Sequence, residues 1–498
     1  MYKAKLHFCR IEDFCLPFAG KLDPENRWVR FAKVISWDKL EKQYAYKFRS
    51  KKGAPAFSVR TALGSLLIKE ILCCSDIETV EQIKENPYLQ YFIGHERYIT
   101  KAPFDSSSLT VFRKRIKGQD VLKMSELIRQ HEVARHQPQE QAQKPDKPEE
   151  PAPTNQGKLI FDATCAPADI AFPTDLGLLN DARQKSEQII DHLYSHAPAG
   201  VQKPRTYRKN ARKEFLQVSK KRKKTRKELH KANGKQLRFL ARNLRYIKDL
   251  TDIVSLCVLK PSLYRALLVI SEVYRQQEEM YRTGKRRIDN RIVSISQPHV
   301  RPIVRGKAGA ATEFGIKISA SIVDGWSTPE RMSWENYNEG CDLINDTERY
   351  RQRYGYYPES VHVDKIYRTQ ENRQWCKERG IRLSGTPLGR PPKDSEKNRA
   401  RKALIKADEG VRNAVEGKFG QGKRRFGLGR IMAKRSDTSE TVVALIFMAM
   451  NLVQLLKVHR FFFSLLLMRL FNEWHKTLQQ QTSTNQNQML FPRKSYVL

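Results

Sequence analysis

The stretch from Pro138 to Gly157, PQEQAQKPDKPEEPAPTNQG, carries five prolines, and its only apolar side chains are two alanines. Proline removes a backbone donor and fixes φ, and a segment with nothing apolar to bury cannot offset its ordering entropy, so neither helix nor strand is expected there. The chain is therefore expected to break at 138–157 into an N-terminal module, 1–137, and a larger body. Charge is placed in that body, not spread. The chain has 92 Lys and Arg against 54 Asp and Glu, a net +38. Residues 201–250 alone hold nineteen cations against three acids, and residues 380–435 hold sixteen against five. Self-repulsion of this size calls for a polyanionic partner, nucleic acid or an anionic membrane surface, and composition does not choose between them.

Other features exclude classes. Eight cysteines without a CxxC pair in 498 residues suggest neither a disulfide framework nor a zinc ribbon, and fit a reducing compartment. The opening MYKAKLHFCRIEDF lacks the apolar core of a signal peptide. The longest apolar run, Val442 to Leu456, is interrupted by Asn451 and Gln454 and falls short of the ~20 residues of a spanning helix. A second run, Phe461 to Phe471, follows Lys457, His459 and Arg460. Buried core helices, with no membrane partner, are the expectation. A membrane-associated basic protein is the competing one.

The N-terminal module reads as helical. Val59 to Cys73 is apolar on one helical face, Ser75 or Asp76 offers a cap to IETVEQIKE, and Asn86-Pro87 stops it. Asp105 or a following serine can cap SSLTVFRKRI, whose end carries Arg113, Lys114 and Arg115. That basic tip suits a helix-turn-helix-like DNA contact or simply a solvated helix end. The body opens with Lys158 to Asp162, a short apolar strand ending in an acid. From about Leu178 to Asn290 helical spacing takes over, with Leu263, Leu267, Ile270, Val273 and Tyr274 in phase. Its densest charge is Lys220 to Lys227, KKRKKTRK, which opens with Lys220, Lys221, Arg222, Lys223 and Lys224. Leu237, Leu240, Leu244 and Ile247 recur at three- and four-residue steps nearby, as in a folded helix with one basic face for nucleic acid. Period-two alternation through Phe314, Ile316, Ile318, Ala320 and Ile322 predicts a strand ending at Asp324-Gly325. Val361 to Asp364 predicts another, followed by the helix QENRQWCKERG, closed by Gly380. The segment VRNAVEGKF is expected to be helical to about Phe419, where glycines begin. Gln479 to Gln488 is wholly polar. Together these predict an α/β body interrupted by a helical insertion.

Metal-dependent phosphoryl transfer on DNA needs carboxylates that converge from distant positions, because two Mg²⁺ ions ~4 Å apart prefer hard oxygen ligands. Asp162 and Asp364 each end an apolar run, so side-by-side strands would bring both acids to one sheet edge. Glu416 is the best third acid, with Arg412, Lys418 and Lys423 around it as phosphate-binding cations. Asp169, Asp175, Asp324 and Glu313 compete, since an acid at a strand end is more often a turn former or a cap. His192 and His196 have no further ligands nearby that complete a zinc site. Gly389-Arg-Pro-Pro-Lys393 reads as an extended loop more readily than as a minor-groove hook.

These residues carry a resemblance. The chain resembles bacterial insertion-sequence transposases of the DDE superfamily, whose signature is tyrosine, two residues, arginine, three residues, glutamate, six residues and lysine. Arg412, Glu416 and Lys423 match with the right gaps, while Glu409 stands at the tyrosine position. HVDKIYRTQENR resembles the family's second-acid block through Asp364, Lys365 and Tyr367. FDATCAPADIAFPTDLGLLNDAR resembles its first strand, RGKAGAATEFGIKIS the passage between them, and APFDSSSLTVFRKRI the end of the helical module.

The resemblance implies an α/β, RNase H-like mixed sheet with a helical insertion, preceded by an all-α N-terminal DNA-binding domain. The implied division is 1–137, the linker 138–157, a catalytic domain of 158–177 and 291–475, a basic insertion of 178–290 and a polar tail of 476–498. Asp162, Asp364 and Glu416 would be catalytic metal ligands for two Mg²⁺, with Mn²⁺ able to substitute. Arg412 and Lys423 would hold element-end phosphates, and Lys365, Tyr367, Lys418 and Arg424 would also meet DNA. Implied partners are double-stranded DNA, as terminal inverted repeats and target, and a second copy of the chain in the synaptic complex. The implied location is the bacterial cytoplasm, at the nucleoid. A catalytically inactive DNA-binding derivative of such an enzyme is the alternative.

Overall fold

The computed structural model describes residues 9–48, 55–136, 155–304, 312–386 and 396–458. The linker up to residue 154, the 389–393 loop, the second apolar stretch and the polar tail lie outside the described residues. The chain packs as two bodies, one of described residues within 1–112, 122–144 and 447–458, the other of those within 113–121 and 145–446.

Local capping sets the helices of the first body. These are α1 (Arg27–Val34), α2 (Trp37–Ala45), α3 (Val59–Leu72), α4 (Asp76–Glu85) and α5 (Pro87–Phe92), followed by α6 (Ser107–Arg115) and α7 (Gly118–His136), whose residues are divided between the two bodies. The Ser58 and Ser75 side chains accept the free amides at the starts of α3 and α4. Asn86 ends α4 and caps α5, and Pro87 takes the first turn, where its missing N–H costs nothing. Helix α3 is buried nearly all round and forms the centre. Trp28 and Trp37 pack on Phe92, with ring centroids 5.3 and 5.7 Å away. Arg60, buried on α3, donates to the Phe92 and Tyr91 carbonyls.

The second body is built on a six-stranded sheet. It begins with β1 (Lys158–Pro167), leaves it for α8 (Asp175–Tyr194), α9 (Arg208–Ser219), α10 (Arg226–Thr251) and α11 (Pro261–Thr283), and returns through β2 (Arg301–Val304), β3 (Thr312–Val323) and β4 (Trp326–Ser333). Next come α12 (Asp342–Tyr354), β5 (Ser360–His362), α13 (Gln370–Glu378), β6 (Arg382–Leu383) and α14 (Glu396–Arg425). A last helix, α15 (Ser436–Val458), follows, its residues from Phe447 onward belonging to the first body. Strand β3 is antiparallel to β1 on one side and to β2 and β4 in succession on the other, while β1, β5 and β6 are parallel. The order β4-β3-β1-β5-β6, three antiparallel strands then two parallel ones, is RNase H-like, with β2 added along the start of β3.

Helices α8 to α11 bury their own core, in which Ile189, Ile190 and Leu193 meet Leu240, Ile247, Ile270 and Val273. On one face of the sheet, Leu159 and Phe161 pack with Val361, Val363, Leu343 and Tyr350. The β1–β3 pairing is so close at Gly315 that any Cβ there would collide with the Ala166 carbonyl.

Two expectations change. Strand β1 does not end at Asp162 but runs on to Pro167, because β3 offers partners all the way to Gly315. Helix α14 continues through Gly417, Gly420 and Gly422, since burial of Val415, Phe419 and Phe426 outweighs the ~1 kcal/mol per glycine that propensity subtracts. Among the described residues, α15 is the one helix long and apolar enough to cross a membrane, and two thirds of its apolar window is buried in the fold. All eight cysteines are free thiols.

Candidate functional site

Parallel pairing sets Leu159 level with Val361 and Ile160 level with His362. Continuing that register by two residues brings Asp162 level with Asp364, on the face shared by Ile160 and His362. Asp162 lies half-buried in mid-strand, with the Ala163 amide donating to its Oδ1 at 2.8 Å. Burial raises its carboxyl from 3.8 to about 6; the Ala163 amide pulls it down, the charges of Glu339 and Asp364 push it up, and Arg412 pulls it down. Asp364 is exposed and caps a 3-10 turn, Lys365–Tyr367, by accepting from the Lys365 amide at 2.7 Å.

Helix α14 is anchored to the parallel half of the sheet. Asp408 accepts two hydrogen bonds from Arg382, at 2.6 and 2.9 Å, and lies 3.5 Å from His362 Nδ1. Burial keeps the His362 imidazole below its ordinary pKa. Four and eight residues further along the helix come Arg412, whose charge reaches Asp162, and Glu416. Glu416 is 57% exposed and lies 3.3 Å from Arg412.

The remaining expected residues are dispersed. Lys365 is exposed beside Asp364, and Lys423 and Arg424 lie in the last turn of α14, whereas the Lys418 ammonium is buried, which corrects the expectation that it meets DNA. Tyr367 is a correction: it is fully buried, edge-on to Phe161, and so is a core residue that cannot touch DNA in this fold. Lys220 to Lys224 lie not on a helix face but in the exposed connection between α9 and α10, where Lys221 pairs with Glu228 at 2.6 Å. Arg113, Lys114 and Arg115 form the last turn of α6.

Of the competing acids, Asp169 is held by Arg430 and Asp175 by Arg291. Asp324 occupies the β3–β4 turn at φ +49°, and Glu313 faces β2 at the far edge. His192 bonds the Val258 carbonyl and His196 the His192 carbonyl.

Glu339 is the acid that sequence reasoning missed. It sits in a polar segment, WENYNEGCD, with no period and no apolar run to mark it. In the fold it opens a 3-10 turn, Glu339–Cys341, and lies 2.9 Å from the Nζ of buried Lys317. Carboxylate oxygens are the donors that Mg²⁺ and Mn²⁺ prefer, so this set fits a hard divalent cation. Near them the Tyr367 hydroxyl is buried without a hydrogen-bond partner among the described residues. Among those residues no three acids, histidines or cysteines are already gathered around one point.

The strand order, with acids level on β1 and just past β5 and a cation-bearing helix beside them, places the protein among the RNase H-like nucleic-acid-processing enzymes. Comparison with known proteins narrows this. The family model for the transposase DDE domain matches residues 361–453, which include Asp364 and Glu416, and that for the transposase domain (DUF772) matches residues 17–115. A protein of Rhizobium meliloti, described as the uncharacterized protein ORF8 in the nfe locus, is 31% identical over 196 residues, covering 39% of this chain and 83% of that protein. No solved structure matches. The chain belongs to the insertion-sequence DDE transposases, DNA-processing enzymes with a divalent-metal-type catalytic domain.

Proposed function

We propose that the protein binds the ends of its own element and, with Mg²⁺ or Mn²⁺, catalyses phosphodiester hydrolysis there, followed by strand transfer into target DNA. What supports this is the β1–β5 pairing, which ends two residues before each acid and directs Asp162 and Asp364 to one face, together with the charge of Arg412 acting on Asp162. Asp162, Asp364 and Glu416 are the residues that would hold the metal. When bound, divalent ions supply a more acidic water and charge stabilisation at the leaving oxygen.

The chain's own residues do the rest. Asp162 must give up its proton to become a ligand, and Arg412 favours that ionised form. Arg412 and Lys423, on α14, would neutralise phosphate oxygens, where a preorganised cation costs no reorganisation as charge develops. In the first step water adds to phosphorus at the element's end and the 3′-oxygen leaves, taking a proton. In the second, that 3′-hydroxyl attacks a target phosphodiester and displaces its 3′-oxygen. No covalent bond to the enzyme forms.

We assign duplex binding outside the reacting phosphate to the α6 tip and the α9–α10 connection, within a DNA-binding module of 1–137 and an insertion of 178–290. The catalytic acids are assigned to 158–177 and 291–475. Two ends brought together imply two copies of the chain in the active complex.

The test is Mg²⁺-dependent cleavage of DNA bearing the element's ends, comparing wild type with Asp162→Ala, Asp364→Ala and Glu416→Ala. Loss in all three is expected, and cleavage at the wild-type rate would overturn the site. A wild type that binds the ends without cutting them would identify an inactive DNA-binding derivative.

A further inference from the structure

We propose that Glu339 is a fourth carboxylate of the metal site, sharing with Asp162 and Asp364 a divalent cation bound before DNA arrives. The inference rests on the metal-site reading above and adds a ligand to it. Its basis is the geometry at the edge of β1. Strand β5 pairs with β1 only up to Ile160, and the next backbone bridge to β1's continuation is that of Ile431 with Ala168. Asp162 lies in the interval between them, which no strand among the described residues fills.

The turn carrying Glu339 is locked onto the turn that Asp364 caps. Asn372 Nδ2 donates to the Gly340 and Tyr367 carbonyls, at 2.7 Å each. At Gly340 a Cβ would stand 2.7 Å from the Ile366 carbonyl oxygen, so the approach needs glycine. Glu339 is thereby fixed beside the segment that begins at Asp364, and its charge, with that of Asp364, acts on Asp162. The second, independent observation is Tyr367. Its side chain is fully buried, its hydroxyl has no partner among the described residues, and the charges nearest it in effect are those of Glu339 and Asp162. A buried phenol left unpaired, with carboxylate charges acting on it, marks a place that a further polar occupant would satisfy.

Glu416, by contrast, is exposed and paired with Arg412. Without a cation, like charges on the acids repel one another, and Lys317 supplies a positive charge bonded to Glu339. The simpler role for Glu339, as ion-pair partner of Lys317 alone, makes a different prediction.

The experiment measures Mn²⁺ binding to the full chain without DNA, by the electron paramagnetic resonance signal of free Mn²⁺. Glu339→Gln, Lys317→Gln and Asp162→Asn are compared, with a thermal melt of each. Glu339→Gln and Asp162→Asn should weaken Mn²⁺ binding about tenfold or more. Lys317→Gln, which breaks the same ion pair but removes no carboxylate and lifts the charge that competes for Glu339, should not weaken it. Should Glu339→Gln not fold, Glu339→Asp keeps the charge but shortens the reach, and at least about a threefold loss is expected. Wild-type affinity in the Glu339 variants, with loss in Asp162→Asn, overturns the Glu339 assignment alone. Equal losses in Glu339→Gln and Lys317→Gln overturn it too. Unchanged binding in Asp162→Asn sinks the metal-site reading as a whole.

Discussion

In the metal-free protein Asp162 carries its charge inside β1 against the preference of its surroundings, and that preference is measurable as stability. A carboxyl raised from 3.8 to about 6, mainly by burial, corresponds to roughly 3 kcal/mol between its folded and unfolded environments. Because the folded form keeps its proton to higher pH than the unfolded form, folding binds protons between pH 4 and 6. Stability from this group is therefore greatest at low pH and falls as pH rises through 6. Asp162→Asn keeps an oxygen to accept from the Ala163 amide but cannot ionise. With chelator present at pH 7.5, the variant should be more stable by up to roughly 3 kcal/mol, or about 5 °C in Tm for a body of this size. The gain should halve by about pH 5 and nearly vanish by pH 4. Asp346, pushed up to about 7 by burial and by Glu330, titrates in the same range, but it is common to both proteins and cancels in the difference. Thermal melts across pH 4 to 7.5 provide the assay. Adding Mn²⁺ at pH 7.5 should then raise the wild-type Tm and leave the variant's nearly unmoved. A variant no more stable than wild type at pH 7.5, or a gain independent of pH, would refute the account of Asp162 as a buried charge awaiting a cation.

Asp408→Ala strips Arg382 and His362 of their shared partner at the anchor of α14, and should cost about 2 kcal/mol in urea unfolding, since one arm of the pair is partly solvated. An unchanged midpoint would mean that apolar contacts alone hold α14. Replacing Lys220, Lys223 and Lys224 by Ser, all exposed, should leave the fold intact and reduce the slope of log affinity for duplex DNA against log salt by up to ~2.7, at ~0.9 per phosphate contact. The same slope in both proteins would place that connection away from the DNA.

Much of the local structure was legible because its causes are local. Ser75 and Asn86-Pro87 bound α4, Gly380 closes the α13 segment in a left-handed turn at φ +64°, and the alternation of Phe314 to Ile322 falls within β3. Strand β4 escaped notice because WSTPERMS, an edge strand with Pro329 inside it, has no apolar alternation. The reach of β1 past Asp162 and of α14 past Phe419 was hidden because partners distant in sequence, β3 and the buried core, hold those residues against their own propensities. Tyr367 sits in a motif beside Asp364 yet faces the core, since the turn that Asp364 caps folds it inward under Phe161.

The sequence by itself determined the chemistry on offer: two acids behind apolar runs, a third among cations, and charge gathered into two blocks. Only the tertiary structure decided which of those groups meet. Asp162 and Asp364 approach one another because hydrogen bonding between β1 and β5, ending two residues before each acid, sets a register across some two hundred residues of intervening chain. Glu339 stands with them because one glycine and one asparagine lock two short turns together. Register and close approach are long-range properties, and no local pattern encodes them.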